Sequence, residues 1–432
     1  MPPLKLNYKQ TFFVGLAFMS ISAFWQMYDN IIPLILKYTF SIDDTLIGVV
    51  MAMDNVLALF MLPLFGKLSD RTRTKIGRRM PYILGGTAVA VLCLVLLPVA
   101  EHSNNLLLFF TGLGLVLVAM ATYRSPAVAL MPDVTPKPLR SQGNAVINLM
   151  GAVGGMLMLL TMQIGLPKAV AGQPFRPDYT PVFLTLGVLM AVCVALLFWK
   201  IKELPLAQEA DRMTLQYASR VEEPEHVKNG GKLPPEYLRS LLFILASVAL
   251  WFMGYNAVTS GFSRYATEVL GGSFSMILMV CTAAAIVSYL PVGLIASRIG
   301  RKKTILIGVA LLFAAFFAGA FFRSMSFLLY VFFIFAGMGW AFINVNSYPM
   351  VVELASSGDT GRYTGYYYTV SMAAQIATPI LSGFLMGHVG YWTLFPYAAF
   401  FVAMSFVTML FVRHGDVRPQ AKKGLEALDV DD

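Results

Sequence analysis

Apolar stretches of membrane-spanning length, separated by short polar breaks, recur from one end of the chain to the other. About 20 consecutive apolar residues carry a helix across the hydrocarbon core of a bilayer. That length picks out twelve segments: 11–36, 45–66, 81–99, 105–130, 143–166, 180–199, 239–260, 274–296, 304–322, 326–350, 363–387 and 391–412. The prediction is an all-α membrane protein with twelve transmembrane helices. Polar residues gather in one long stretch, from about 200 to 238, between the sixth and seventh segments. It divides the chain into an N-terminal six-helix bundle (1–200), a linker (201–237) with room for a short amphipathic helix, a C-terminal six-helix bundle (238–412) and a tail (413–432).

The two halves resemble each other. Asp29 of "YDN" answers Asn256 of "YNA", and Gly66 answers Gly293 at the same interval. "GRR" at 77–79 answers "GRKK" at 300–303, and Arg140 and Gly143 answer Arg362 and Gly365. Four coincidences in the same order predict two pseudo-symmetric bundles, an architecture that seats a substrate at mid-depth between repeats.

Charge then sets orientation. With both termini inside, the inner segments hold Lys5, Lys9, a cluster from Lys67 to Arg79, Lys137, Arg140, seven basic residues in the central loop, Arg298, Arg301 to Lys303, Arg362 and four in the tail. The outer segments hold Lys37, Lys168, Arg176 and Arg323. Basic residues concentrate on cytoplasmic loops, so both termini are expected in the cytoplasm and the protein in the plasma (inner) membrane. The net charge of +9 is therefore topogenic and attracted to anionic lipid, and no nucleic-acid partner is expected.

Composition agrees. Of 432 residues, 57% are hydrophobic and 13% charged, against about 25% charged in a soluble chain. Cys93, Cys193 and Cys281 are far apart, and His102, His226, His388 and His414 fall at segment ends or in loops. No metal site, cofactor, enzymatic triad or nucleotide-binding motif is predicted, so ATP-driven transport is disfavoured. The basic start "MPPLKLNYKQ" precedes an apolar run too long for a signal-peptide core and is read as leading into a retained first helix.

Against that background Asp29 stands out. A charge at mid-membrane costs about 2.5–3.5 kcal/mol on the insertion scale, and intramembrane ionisable residues mark function by default. Gln26, Asp29, Asn30 and Pro33 share one helical face, with Trp25, Tyr28 and Ile32 on the next strip. Amides and a carboxylate flanked by aromatics suit a sugar, whose hydroxyls need donors and acceptors and whose apolar face packs on rings. A structural carboxylate satisfied by a neighbouring helix is the alternative. Asp54 is a second buried acid, either functional or in a packing hydrogen bond with Asn55. Arg124 is the cationic partner expected for these acids, or else snorkels to the inner interface. The second half offers Tyr255, Asn256, Trp340, Asn344, Ser347, Tyr367, Ser371 and Gln375, with Asn346 and Tyr348 beside them. Packing is the alternative for each aromatic. The uncharged character of this set favours a neutral polyol over an anion. Arg264 and Glu268, four apart beyond the seventh segment, predict an outer i, i+4 pair.

Two stretches carry a family likeness. "GKLSDRTRTKIGRRMPYI" (66–83) resembles the loop signature of the major facilitator superfamily, and its "SDR…GRRMPYI" resembles the sugar–cation symporter branch. That branch includes the glycoside–pentoside–hexuronide symporters and the proton-coupled sucrose transporters with their animal relatives. "RSPAVALMPDVTPKPLRSQGNA" (124–145) resembles the branch's Pro-x-x-x-Leu-x-x-Asp-x-Thr…Arg segment at Pro126, Leu130, Asp133, Thr135 and Arg140. Asp29, Pro33 and Leu36 look like the helix-1 motif of the sucrose-transporter relatives. The resemblance implies the major facilitator fold and sugar–cation symport. Counted back from Gly77, the positions of the acidic sodium ligands of melibiose-type symporters hold Ala58 and Leu62 here, and the position of their sugar-binding carboxylate holds Arg124. Protons are therefore expected over sodium.

The resulting expectation is a secondary transporter, not an enzyme, that imports a neutral sugar with protons by alternating access, as a monomer. Trp25, Gln26, Tyr28, Asp29, Asn30, Arg124, Tyr255, Asn256, Trp340, Asn344, Tyr367 and Gln375 are the expected sugar contacts, and Asp29, Asp54 and Arg124 the proton-coupling group. Gly66, Asp70, Arg71, Gly77, Arg78, Arg79, Asp133, Arg140, Glu353 and Arg362 are expected at a charge-paired cytoplasmic gate. Asp70 is expected to meet the inner ends of the tenth and eleventh segments. The alternatives are sodium coupling, another cargo on the same fold (drug efflux or lysolipid), and a non-transporting sensor. For a sensor the linker and tail are too short to hold a signalling domain.

Overall fold

The computed structural model describes residues 5–136, 139–171, 173–218, 235–352, 354 and 360–414. These form thirteen α-helices: α1 (Tyr8–Tyr38), α2 (Asp44–Arg71), α3 (Met80–His102), α4 (Leu106–Val134), α5 (Arg140–Gly165), α6 (Thr180–Lys200), α7 (Glu203–Ala218), α8 (Pro235–Tyr265), α9 (Phe274–Ile299), α10 (Arg301–Gly319), α11 (Phe327–Val352), α12 (Thr360–His388) and α13 (Leu394–Leu410). Eleven are long and apolar enough to cross a membrane, and α9, bent by 52° beside Pro291, makes up to twelve. A proline inside a helix removes a backbone donor and crowds the preceding turn, which accounts for the bend.

The helices begin where local chemistry lets them. Asn7 and Asn105 cap α1 and α4, their side chains accepting from the backbone N–H of Gln10 (3.1 Å) and Leu108 (3.0 Å). Pro81 and Pro181 occupy the first turns of α3 and α6, where a missing N–H costs nothing. Gly300, at φ +94°, turns the chain sharply between α9 and α10. Several helices overrun their predicted ends. α2 continues to Arg71, α4 to Val134, and α8 runs from Pro235 to Tyr265 before a π turn at Ala266–Leu270. α7 is the helix expected within the linker; residues 219–234 lie outside the described residues.

By packing, the chain forms two compact units. One comprises residues 1–40, 54–167 and 176–224, and the other 41–53, 168–175 and 225–432. In the first, α1 lies on α5 and α3 on α4. Gly154 brings the backbone of α5 against the Met19 carbonyl, leaving no room for a Cβ. In the second, α10 and α9 pack on α11, and α8 on α13 and α12. There Gly337 plays the same part against the Cys281 carbonyl. Lipid tails give apolar helices no hydrophobic reason to associate, so close backbone approach at small residues supplies the packing energy. The second unit also includes the first turns of α2 up to Met53, while the rest of that helix belongs to the first.

Candidate functional site

In the first unit, α1, α2 and α4 line a recess with Trp25, Asp54, Leu57, Ala58, Leu62, Leu117, Ala121 and Arg124. The Arg124 guanidinium lies 5.6 Å from the Trp25 ring centroid, at cation–π distance. Asp54 Oδ1 accepts from the Asn55 amide at 2.9 Å. Asp29 and Arg124 each lie within electrostatic reach of Asp54. The structure thus brings Trp25, Asp29, Asp54 and Arg124 into one neighbourhood. Asp54 and Arg124 both line the recess, whereas Asp29 sits half-buried one turn along α1 from Trp25.

The rest of the α1 set frames that group. Tyr28 is fully buried and meets Trp25 edge to face at 5.5 Å. Gln26 is half-buried, with its side-chain carbonyl near Gly155 of α5. Asn30 is buried and donates to the Gln26 carbonyl at 2.9 Å. Its Oδ1 and the Trp25 indole N–H are buried without a hydrogen-bond partner among the described residues. Unpartnered polar atoms are costly away from water, so both are free to serve a bound group.

The candidates of the second half form a group within the other unit. Tyr255 of α8 stacks flat on Trp340 of α11, with centroids 3.7 Å apart and planes 6° from parallel. Phe252 meets Trp340 edge-on at 5.4 Å. Tyr367 of α12 shares a hydrogen bond of 2.9 Å with Ser347. Asn256 donates back to the Phe252 carbonyl at 2.8 Å within its own helix. Asn344 and Gln375 are half-buried, while Ser371 is buried against the Tyr368 carbonyl.

The basic loop after α2 is tightly wired within the first unit. Arg79, whose side chain is only 6% exposed, is paired with Asp70 and, at 2.8 Å, with Asp133 of α4. Arg78 takes the other Asp133 oxygen at 2.7 Å. Partial burial works against the Arg78 charge, but its hydrogen bond to Asp133 and the surrounding carboxylates outweigh this and hold its pKa above the ordinary value. Gly66, within α2, supplies the backbone carbonyl to which the Ser69 hydroxyl and Arg79 guanidinium donate, and its Cα faces Ser125 of α4. Gly77 is at φ +125°, a left-handed conformation that favours glycine. Arg71 ends α2 and is exposed. Arg140 donates to the Pro132 carbonyl at 2.7 Å, satisfying the end of α4. Arg362 is exposed and donates to the Tyr366 hydroxyl at 2.6 Å. Glu353 lies outside the described residues.

Two features went unread in the sequence. Glu203, the first residue of α7, is 2% exposed and accepts from the backbone N–H of Arg78, Arg79 and Met80 at 2.8–3.1 Å. Its only prior signal was an acid directly after the sixth span. Arg264, placed beyond the membrane because the seventh span was ended at residue 260, lies inside α8 and is fully buried. It forms an ion pair with Asp44 at 2.9 Å, a partner the spacing with Glu268 did not suggest.

Comparison with known proteins follows the same lines. A family model described as Major Facilitator Superfamily matches residues 14–289 and 272–429. The chain is 30% identical over 168 residues to the "Uncharacterized symporter sll1374" of Synechocystis sp., a match covering 37% of this chain and 30% of that one. It is 26% identical over 181 residues to "Proton-associated sugar transporter A" of Homo sapiens, covering 39% and 24%. With "Sucrose transport protein SUC3" of Arabidopsis thaliana it shares 25% over 183 residues, covering 35% and 30%. The matched part is thus less than a third of each of these relatives. Among solved structures, a mutant form of nucleoside transporter NupG superposes with a TM-score of 0.63 at 15% identity, over 94% of this chain and 100% of that one. The POT family transporter PepTSo gives 0.65 at 11%, over 94% and 98%. At such identities these two bear on the fold alone.

Proposed function

The chain belongs to the Major Facilitator Superfamily, and we propose that it is a secondary transporter carrying a neutral sugar, a disaccharide or other glycoside, together with protons by alternating access. The observation that carries this reading is the recess where Asp54 and Arg124 meet the Trp25 ring, with Asp29 close by. Carboxylate and guanidinium can bind hydroxyls while the ring packs the apolar face of a pyranose. A titratable acid in the same recess ties proton occupancy to sugar occupancy. Ala58 and Leu62 line the recess where a sodium site would need oxygen ligands, which favours protons. The names of the human and Arabidopsis relatives, a proton-associated sugar transporter and a sucrose transport protein, lend support. The basic inner loops support cytoplasmic termini.

In this cycle a proton on the acidic pair neutralises the site, and sugar hydroxyls then compete for Arg124. Loading shifts the balance between the two access states only by as much as it binds one better than the other. The test is counterflow of a labelled sugar panel in proteoliposomes, with and without a pH gradient. Exchange of a glycoside, accelerated by an inward proton gradient, is expected. A lysolipid or cationic drug that moves while every sugar is inert would replace the sugar reading with another cargo.

A further inference from the structure

Arg124 of the recess follows directly on Tyr123, and the two lie on different faces of α4. Leu117, Ala121 and Arg124, at i, i+4 and i+7, line the recess. Val116, Met120, Tyr123 and Ala127 keep the same spacing on the neighbouring face, and all four are fully buried. α4 runs antiparallel to α1 and meets it at three levels. Near the start of α1, the Gln10 amide donates to the Val134 carbonyl at 3.3 Å. Just beyond its far end, the rings of Phe40 and Phe109 lie 5.0 Å apart. Between these, the Tyr123 hydroxyl donates to the Ala17 carbonyl at 2.9 Å and pairs with the Ser20 hydroxyl. Behind Tyr123 stands α3, where a Cβ added at Gly86 would fall 2.9 Å from the Tyr123 Cβ. The tyrosine is thus wedged between two helices and bonded to one.

Apolar helices in lipid have no hydrophobic force holding them at one height along each other. A buried hydroxyl is less tolerant, because a small shift costs it its acceptor and leaves a polar atom unpartnered away from water. The bond from Tyr123 to Ala17 therefore fixes the height of α4 along α1. That height decides where Arg124 ends. Helical side chains lean toward the N-terminus of their helix, and in an antiparallel pair this carries the Arg124 side chain along α1 from Ser20 toward Trp25. The guanidinium stops 5.6 Å from the Trp25 centroid, near the roughly 6 Å limit of a cation–π contact. A slip of one residue, about 1.5 Å, is enough to lose it.

We infer that Tyr123 is a positioning residue: held by Ala17 and Ser20, it sets the register of α4 on α1 and so keeps Arg124 over Trp25. The inference rests on the recess being the substrate site of the reading above, but its test requires no cargo. The full chain in detergent, without substrate, is examined by ultraviolet resonance Raman, whose indole bands respond to a cation over the ring face. Subtracting the spectrum of the matching Trp25→Phe protein isolates Trp25 from the other tryptophans. Arg124→Gln supplies the spectrum of the ring without its cation. Tyr123→Phe keeps the aromatic ring and loses only the hydroxyl, and its Trp25 spectrum is expected to move more than half of the way to that of Arg124→Gln. Ser20→Ala leaves the Ala17 carbonyl to accept from Tyr123, so a smaller movement in the same direction is expected, readable even if Tyr123→Phe does not fold. An unmoved Trp25 spectrum in the folded variants overturns the inference, even where they unfold at lower temperature, because lost stability alone leaves the cation in place. So does a Trp25 spectrum that Arg124→Gln itself leaves unchanged. Movement as expected in a protein that exchanges no sugar supports the role of Tyr123 and removes only the sugar reading.

Discussion

The carboxylate of Glu203 sits on the N-terminus of α3, accepting from the backbone of Arg79 at 2.9 Å while flanked by the N–H groups of Arg78 and Met80. A helix N-terminus carries unsatisfied donors and partial positive charge, so a buried carboxylate there is stabilised by both. The linker helix is thereby fastened to the loop whose Arg79 side chain reaches Asp70 and Asp133. Glu203→Ala strands those donors in a buried place. A loss of about 1–2 kcal/mol is expected, at the upper end for a helix cap, read as earlier thermal unfolding in detergent. Glu203→Gln, which still accepts but has no charge, is expected to fall between. Equal melting of all three would mean the cap adds nothing.

Asp70 and Asp133 both pair with Arg79, but in different surroundings. The Asp70 side chain is 57% exposed and that of Asp133 14%. An exposed pair contributes under about 1 kcal/mol, whereas removing a partner from a buried one costs about 3 kcal/mol or more. Asp133→Asn, which deprives both Arg78 and Arg79, is therefore expected to destabilise clearly more than Asp70→Asn. Unfolding midpoints of the two single variants decide this. If Asp70→Asn is the worse, solvent screening at that loop has been overestimated.

Sodium should be dispensable. Ala58 and Leu62 offer no oxygen to a cation, and among the described residues lining the recess only Asp54 carries a carboxylate. Uptake driven by an imposed pH gradient is expected to be the same in sodium and in choline buffers. A saturable sodium stimulation that survives clamping of the proton gradient would reverse the assignment.

The helices were legible because their apolar length is set by the bilayer, and the candidate recess because a charge at that depth is costly enough to be conspicuous. Asp29, Asp54 and Arg124 could be picked out singly for that reason. Their mutual arrangement could not, since nothing in linear order says that Arg124 lies over Trp25 or that its charge acts on Asp54. Arg264 shows the opposite failure. Ending a span at residue 260 left only the local spacing with Glu268 in view, whereas the fold also gives Arg264 a partner far away in the chain, Asp44. Glu203 was invisible for a third reason: a carboxylate that caps another helix obeys no periodicity of its own.

The recess acids divide the remaining labour. Asp29 was the residue most conspicuous in sequence, but Asp54 lines the recess beside Arg124, whereas Asp29 lies one turn along α1 from Trp25. If one of them carries the coupled proton, replacing it by asparagine removes the titratable site while keeping a hydrogen-bonding amide. Accumulation against a gradient should then be abolished, and exchange of sugar down its gradient should persist. The geometry favours Asp54→Asn for this separated phenotype, because Asp54 lines the recess together with Arg124. Asp29→Asn is expected to weaken accumulation less, acting through the charge of its neighbour. Measured in proteoliposomes with an imposed pH gradient, full accumulation by Asp54→Asn together with its loss in Asp29→Asn would exchange the two roles. Loss of both accumulation and exchange in Asp54→Asn would make that carboxylate a sugar ligand, and the proton would then have to be sought on Asp29.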